Sequence, residues 1–398
     1  MDLILYPRKL RGDLTVIPSK SQAHRALICA AFADADTELI CPEVNRDMEA
    51  TARCLQSLGA VIKRTETGYL ITPAREIPQE ADLPSGESGS TLRYLLTVVG
   101  ALGIRGRFYL EGRLPKRPLS PLWEEMERMG CSLSRPEGNT ILVTGKLQPG
   151  EYRLRGDVSS QFITGLLLAG ALIPGTTRIT LLSKLQSRPY VDMTLDTMKQ
   201  FGKTAENLAL SGGSPFRSPG TLTIEGDWSS AAFFLAANAL GSEITLKNLN
   251  PDSCQGDRAA AVLLPALKEF KTISAEDIPD LVPILAVTAA CHQGAEFTEV
   301  SRLRLKESDR VESTVSLIRS LGGSAEAQGD RLLISGTGLR GGTVNTAGDH
   351  RIAMAAAIAA TAAKNPVIIP GAECVAKSYP RFFQEYSRLG GYYEQYIR

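Results

Sequence analysis

Histidine is nearly missing from this sequence: His24, His292 and His350 are the only three among 398 residues. A histidine-rich metal centre is therefore not expected, and His292, at the end of an apolar pattern, reads as structural. The seven cysteines, Cys29, Cys41, Cys54, Cys131, Cys254, Cys291 and Cys374, are odd in number and never fall in CxxC spacing. That argues against a disulfide framework and a zinc site, and fits a reducing cytosol. Excess charge is absent too: 44 Lys+Arg against 43 Asp+Glu leave a formal net charge of +1. Nucleic acid held by bulk charge is not an expected partner, so an anionic ligand must be caught by local basic clusters. Long hydrophobic runs are lacking as well. The most apolar stretches, 95–102, 166–173 and 352–363, fall short of the roughly 20 residues of a bilayer-spanning helix, so no membrane partner is expected. The first twelve residues, with Asp2, Arg8 and Lys9, resemble neither a signal peptide nor a transit peptide. A cytoplasmic, prokaryotic chain is the expectation.

What is present is core material. Hydrophobic residues make up 43% of the chain, enough for two domains, since single cores stop growing at about 250–300 residues. The apolar stretches recur with a period of roughly 70 residues, each behind a polar or glycine-bearing opening. Six openings can be read: Ser21-Gln22-Ala23, Gly89-Ser90-Thr91, Ser159-Ser160-Gln161, Ser229-Ser230-Ala231, Asp280-Leu281-Val282 and Asp349-His350-Arg351. An amphipathic helix pattern recurs in the same rhythm, at 51–59, 122–130, 194–202, 313–322 and 381–390, each ending in glycine, and at 261–270 without one. Strand-like runs at 69–72, 140–143, 178–182 and 331–334 lie between them. The expectation is an α/β protein of six modules, each with one buried and one exposed helix, in two lobes of three. The Gly/Ser/Pro-rich run 211–220 puts one crossing near Glu225-Gly226-Asp227. The strand expected at 2–16 could belong to either lobe.

A helix N-terminus presents free N–H groups and the positive end of a dipole, a ready site for phosphate or carboxylate. Here several openings also carry cations: Lys20 and Arg25 at the first, Arg351 at the last. Ser21 and Asp349 could equally be simple N-caps. Gly86–Arg93 enters a helix through glycines that would let backbone approach a ligand. Arg113, Lys116 and Arg117 form a basic loop stiffened by Pro115, Pro118 and Pro121. In Leu305–Arg310, Asp309 and Glu312 fit a capping box, which leaves Lys306, Glu307 and Arg310 unexplained. A carboxylate flanked by cations suits proton transfer beside an anionic substrate. Asp280 opens an apolar helix pattern and would ordinarily be its N-cap, and Lys377 precedes the last helix. Gly336–Gly341 matches GxGxxG but is not followed by a helix pattern, so a dinucleotide site is not expected. Neither Walker A nor HExxH occurs.

Together these segments resemble one family, the 5-enolpyruvylshikimate-3-phosphate synthases. The resemblance spans the chain in order: Lys20-Ser21 with Arg25, Gly86–Arg93, Arg113–Pro118, Ser159-Ser160-Gln161, Ser187-Arg188-Pro189-Tyr190, Glu225-Gly226-Asp227, Asp280, Leu305–Arg310, Asp349-His350-Arg351 and Lys377. It implies a two-lobed inside-out α/β fold, with 18–225 as the lobe for shikimate 3-phosphate. Residues 1–17 and 226–398 would form the lobe for phosphoenolpyruvate and the catalytic carboxylates. It implies enolpyruvyl transfer from phosphoenolpyruvate to the 5-hydroxyl of shikimate 3-phosphate, with no cofactor and no metal. By the resemblance Lys20, Ser21, Arg25, Ser159, Ser160, Gln161, Ser187, Tyr190, Asp280 and Lys306 would hold shikimate 3-phosphate. Lys20, Gly89, Arg117, Gln161, Arg310, Arg351 and Lys377 would hold phosphoenolpyruvate. Asp280 would be the base on the 5-hydroxyl and Glu307 the acid at the methylene carbon, with Lys377 and Lys20 also in the catalytic set. The lobes would close on ligand binding, and the chain would act as a monomer. Two positions depart from the family's commoner pattern, Glu87 and Arg302, where asparagine is usual. Gly89 keeps the small residue associated with glyphosate sensitivity. The sister family acting on UDP-N-acetylglucosamine usually carries a cysteine or aspartate in the loop that here spans 105–122, which has neither. A catalytically dead anion-binding scaffold would be expected to have lost Asp280 or Glu307, and neither is lost.

Overall fold

The computed structural model describes residues 1–136 and 138–396. The chain divides into two compact units, an inserted one, Pro18–Glu225, and a split one made of Met1–Ile17 and Gly226–Arg398. The inserted unit carries helices α1 (Lys20–Ala31), α2 (Arg46–Ser57), α3 (Gly89–Leu102), α4 (Leu122–Arg128), α5 (Ser160–Leu172) and α6 (Arg188–Gln200). The split unit carries α7 (Trp228–Ala239), α8 (Ala260–Ala266), α9 (Val282–Cys291), α10 (Arg310–Ser320), α11 (His350–Ala360) and α12 (Phe382–Arg388).

Odd and even helices differ in what they bury. α11 is covered at every position and α9 from Val282 to Ala290, as expected of helices apolar all round. α2 and α10 are one-sided, with their polar faces in solvent. The repeating unit is clearest in the second module. Strand Glu80–Gly86 leads into α3 and then into the parallel strand Arg105–Leu110, and α4 leads to an antiparallel pair, Cys131–Ser134 with Thr140–Gly145. The split unit repeats this with Lys271–Ser274, α9, Gly294–Thr298, α10, Ser324–Gln328 and Arg331–Ser335. In Arg105–Leu110, Gly106, Phe108 and Leu110 point to the core while Arg105, Arg107 and Tyr109 face out, the period-2 signature of a half-buried strand. α3 and α5 lie so close that a β-carbon on Gly165 would stand 2.6 Å from the Arg93 carbonyl oxygen, so only glycine fits there.

Three details differ from the sequence reading. The single strand expected at 2–16 is two, Asp2–Tyr6 and Arg11–Thr15, both in the split unit. Asp2–Tyr6 lies between Val367–Ile369 and Tyr392–Tyr396, and Arg11–Thr15 runs parallel to Glu243–Lys247. The amphipathic helices α2 and α6 start earlier than expected, because Asn45 caps α2 and the left-handed Ser187 with Pro189 opens α6. α8 ends at Ala266, and residues 267–270, expected as the end of this helix, form a turn that leads into strand Lys271–Ser274. As expected, no helix follows Gly336–Gly341; the chain enters the short strand Gly342–Thr343. The crossings fall between strand and helix: Thr221–Thr223 pairs with Thr37–Ile40 in the inserted unit, where the strand preceding α1 would otherwise lie. Among the described residues no helix is long and apolar enough to cross a membrane.

Candidate functional site

In the split unit, the segments leading into α9 and α10 and the first turns of α10 and α11 bring charge together where it would normally be excluded. Arg310, the first residue of α10, is 1% exposed. Its Nε donates to Asp349 Oδ2 at 3.0 Å, one terminal nitrogen to Asp280 Oδ1 at 2.9 Å and the other to Glu307 Oε2 at 2.8 Å. A guanidinium is the one side chain whose planar fork can serve three carboxylates at once. Asp280 is served in turn by Arg351, whose guanidinium donates to Oδ2 at 2.7 Å, and by the Lys306 ammonium at 3.5 Å. Asp349 divides its oxygens: Oδ1 accepts the Arg351 N–H as N-cap of α11, and Oδ2 pairs with Arg310.

The N-cap role considered for Asp280 is not what the structure shows. α9 begins two residues later, at Val282, with Leu281 before it and no side-chain cap. Its carboxylate is committed to cations instead. Burial alone would push the Asp280 carboxyl up, but Arg351, Lys306 and Arg310 outweigh it and hold the group well below the usual carboxylate range. Asp349 is likewise held low, Arg310 overcoming its burial. Burial pulls Lys306 down to about 8 against the attraction of Asp280. Asp309 does cap α10 through the Glu312 N–H, but the Glu312 carboxylate turns to Arg304 at 3.0 Å rather than closing a capping box. Lys377 is buried at the end of the turn Ala372–Lys377, which packs on α11.

The inserted unit gathers a second set. Lys20, first residue of α1, meets Asp47 of α2 at 3.0 Å. The cap of α1 is Ser19, not Ser21, whose carbonyl accepts from Arg25 at 2.6 Å. Arg25 is buried and also donates to Thr194 Oγ1 and the Tyr190 carbonyl, both at 2.8 Å, with the Tyr94 ring 5.2 Å from its guanidinium carbon. That ties α1 to α6 and holds Arg25 rigid. At the start of α3, Gly89 sits under two guanidiniums: a β-carbon there would lie 2.6 Å from Arg117 and 2.7 Å from Arg93. Gln161 of α5 joins this group, accepting from Arg93 at 3.1 Å and donating to Ser90 at 3.0 Å. Ser159 caps α5 through the Gln161 N–H with Ser160 next to it, and Ser187 is a buried left-handed residue ahead of α6.

The structure thus assembles Asp280, Lys306, Glu307, Arg310 and Arg351 into one cluster and Gly89, Arg117 and Gln161 into another, with Arg25, Ser21 and Tyr190 in a third contact group. Sequence reasoning missed Arg93 and Asp47 as partners of the inserted unit's cluster, and Asp349 as a partner of Arg310. Arg93 lies within the glycine-bearing turn that was singled out, but nothing local marks its reach to α5. Among the described residues no group of three or more His, Cys, Asp or Glu is arranged to hold a metal ion.

A family model described as EPSP synthase (3-phosphoshikimate 1-carboxyvinyltransferase) matches residues 5–269 and 262–386. A 3-phosphoshikimate 1-carboxyvinyltransferase of Clostridium kluyveri is 36% identical, over 97% of this chain and 96% of the relative. One from Clostridium botulinum (strain Alaska E43) is 36% identical over 98% of both. Of solved structures, EPSP synthase from Acinetobacter baumannii superposes with a TM-score of 0.81 at 24% identity, covering 99% of this chain and 100% of that one. The enolpyruvyl transferase NikO from Streptomyces tendae gives 0.77 at 17% identity, covering 99% and 98%. At these identities the two structures speak for the fold, the two-lobed inside-out α/β type.

Proposed function

The chain belongs to the EPSP synthase family, and from that premise we propose that it transfers the enolpyruvyl group of phosphoenolpyruvate to the 5-hydroxyl of shikimate 3-phosphate. Phosphate is released, and the step serves chorismate and aromatic amino acid biosynthesis. Addition of a hydroxyl across the enol double bond needs a base on the hydroxyl and an acid at the methylene carbon. Protonation turns the methylene carbon into a methyl group, and elimination of phosphate with loss of one methyl proton then restores the double bond.

The observation that carries this reading is a single carboxylate, Asp280, held among Arg310, Arg351 and Lys306, with Glu307 on the other arm of Arg310. We assign Asp280 as the base and Glu307 as the acid, with Lys377 and Lys20 as further proton-handling groups. A carboxylate pinned by three cations is a weak base. Anionic substrates that draw on Arg351, Arg310 and Lys306 relieve that grip and raise its proton affinity, so the site becomes basic when filled. Phosphoenolpyruvate has the phosphate and carboxylate that planar guanidiniums match bidentately. Arg310, Arg351 and Lys377 are its assigned partners in the split unit, and Lys20, Gly89, Arg117 and Gln161 in the inserted one. Ser21, Arg25, Ser159, Ser160, Gln161, Ser187 and Tyr190, with Lys20, are assigned to shikimate 3-phosphate, as are Asp280 and Lys306.

The direct test is phosphate release from phosphoenolpyruvate plus shikimate 3-phosphate without added metal. Steady release supports the reading; release only with UDP-N-acetylglucosamine as acceptor, or with neither acceptor, overturns it. A second expectation concerns Gly89. In Gly89→Ala the new methyl would press on the tips of Arg117 and Arg93, which can swing away but lose their alignment. Loss of one charge-assisted hydrogen bond, roughly 1.5 kcal/mol, should raise the KM for phosphoenolpyruvate about tenfold. The KM for shikimate 3-phosphate should stay near wild type; an unchanged KM for phosphoenolpyruvate would remove Gly89 from that role.

A further inference from the structure

We propose that Asp257 is a positioning residue of the split unit's cluster: a buried carboxyl that competes with an anionic substrate for Arg351 unless it carries a proton. Asp257 lies in the turn Gly256–Ala259 ahead of α8 and is 4% exposed. The segment docks on the start of α7. Gln255 accepts from the Trp228 N–H at 3.0 Å and donates to the Gly226 carbonyl at 2.9 Å, while the Ser229 hydroxyl donates to Asp257 Oδ2. The other carboxyl oxygen, Oδ1, is buried without a hydrogen-bond partner. An ionised carboxylate with a bare buried oxygen is costly, whereas a neutral acid tolerates the site far better.

The groups that act on Asp257 come from each neighbouring element. Asp227 stands at the start of α7, Asp280 ahead of α9 and Arg351 in the first turn of α11. Lys306, Arg310 and Glu307 act on Asp280, and the adjacent Arg258 is exposed with its guanidinium on the Pro251 carbonyl. Burial and then the charge of Asp280 push the Asp257 carboxyl up to about 7, against the pull of Arg351. Asp257 therefore changes charge where cells work. Protonated, it leaves Arg351 to Asp280 and to an incoming anion. Ionised, it adds a negative charge that weakens the hold on that anion, so phosphoenolpyruvate and the Asp257 proton bind with positive linkage.

This inference rests on the enolpyruvyl-transfer reading for the identity of the anion, and its test separates the two. Asp257→Asn keeps the shape and an acceptor for Ser229 but cannot ionise. In the wild type, the KM for phosphoenolpyruvate should climb between pH 6 and pH 8.5 by about fivefold more than in Asp257→Asn, the lower end of coupling between linked sites. Comparing the variants cancels the ionisation of phosphoenolpyruvate itself. The second readout needs no activity. A carboxyl raised in the folded state binds more protons there than in the unfolded chain, so its stabilising contribution is present below about pH 4 and lost by about pH 7. The Tm of Asp257→Asn should thus exceed wild type by several degrees more at pH 8 than at pH 5. An equal Tm difference at both pH values overturns the inference, as do parallel KM profiles. If Asp257→Asn does not fold, Ser229→Ala replaces it: losing that donor should move the KM rise to higher pH, and no movement counts against the proposal. A wild type without turnover would sink the enolpyruvyl-transfer reading, leaving the Tm comparison to judge Asp257.

Discussion

Asp280→Asn is expected to lower kcat for phosphate release by 10²–10⁴-fold, the usual contribution of a positioned general base. The substitution keeps the side chain's size and one oxygen for Arg310 or Arg351, so the split unit should keep its fold. What it removes is the group able to accept the 5-hydroxyl proton. The KM for phosphoenolpyruvate should not rise and should fall slightly, because Arg351 and Lys306 no longer spend their charge on an internal anion. A loss of kcat with KM held marks a group that acts in the transition state rather than in binding. A kcat within threefold of wild type, in a variant with wild-type Tm, would dismiss Asp280 as the base.

Arg310→Met should be the most destabilising single change in the split unit. The guanidinium is buried and is shared by Asp280, Glu307 and Asp349. Methionine fills much of its volume but strands Asp349, itself fully buried, beside two more carboxylates. Removing one partner of a buried ion pair costs about 3–5 kcal/mol, because the remaining charge is left uncompensated. At about 2–4 °C per kcal/mol for a unit of this size, the first thermal transition should drop by roughly 10 °C. Calorimetry is the check, and a Tm within 2 °C of wild type would show that the three carboxylates are neutralised by other means. The same three carboxylates raise Arg310's own hold on its proton in spite of burial, so no accessible pH mimics the substitution.

How much of this was legible in the sequence depends on how local each feature is. The six helix openings could be read because an N-cap and the apolar run behind it are neighbours in the chain: Ser88, Ser159, Asp227 and Asp349 cap α3, α5, α7 and α11 within their own first turns. The first opening was misplaced by two residues, since Ser19 and Ser21 are chemically equivalent candidates and only the backbone turn at Ser19 decides between them. Asp349 was seen as a cap and missed as an ion-pair partner, because its second oxygen answers to Arg310, 39 residues away. Asp280 was ambiguous for the opposite reason. A lone Asp before an apolar helix looks like a cap whether or not two arginines are waiting for it. The family resemblance, carried by ten short segments in order, implies a role as base that local chemistry alone does not suggest. Asp257 left no trace at all: Gln255-Gly256-Asp257 has no periodicity or spacing that marks it, and its character comes from the burial it finds against α7 and from Asp280 and Arg351.

The strand exchange at the crossings also fixes an order of assembly. The inserted unit needs Thr221–Thr223 to complete its first sheet, and everything else it uses lies earlier in the chain. A nascent chain that has cleared the ribosome to Glu225 therefore holds a whole unit. The split unit has no such option. Its N-terminal strands must wait for Glu243–Lys247, then for Val367–Ile369 and Tyr392–Tyr396, pairings that close loops of more than 200 residues and form slowly for that reason. During synthesis Arg11–Thr15 stays unpaired until Glu243–Lys247 has emerged, and Asp2–Tyr6 until Val367–Ile369 and Tyr392–Tyr396 have. Asp2–Tyr6 has the longer wait of the two, and it is where a chaperone would have the longer time to act.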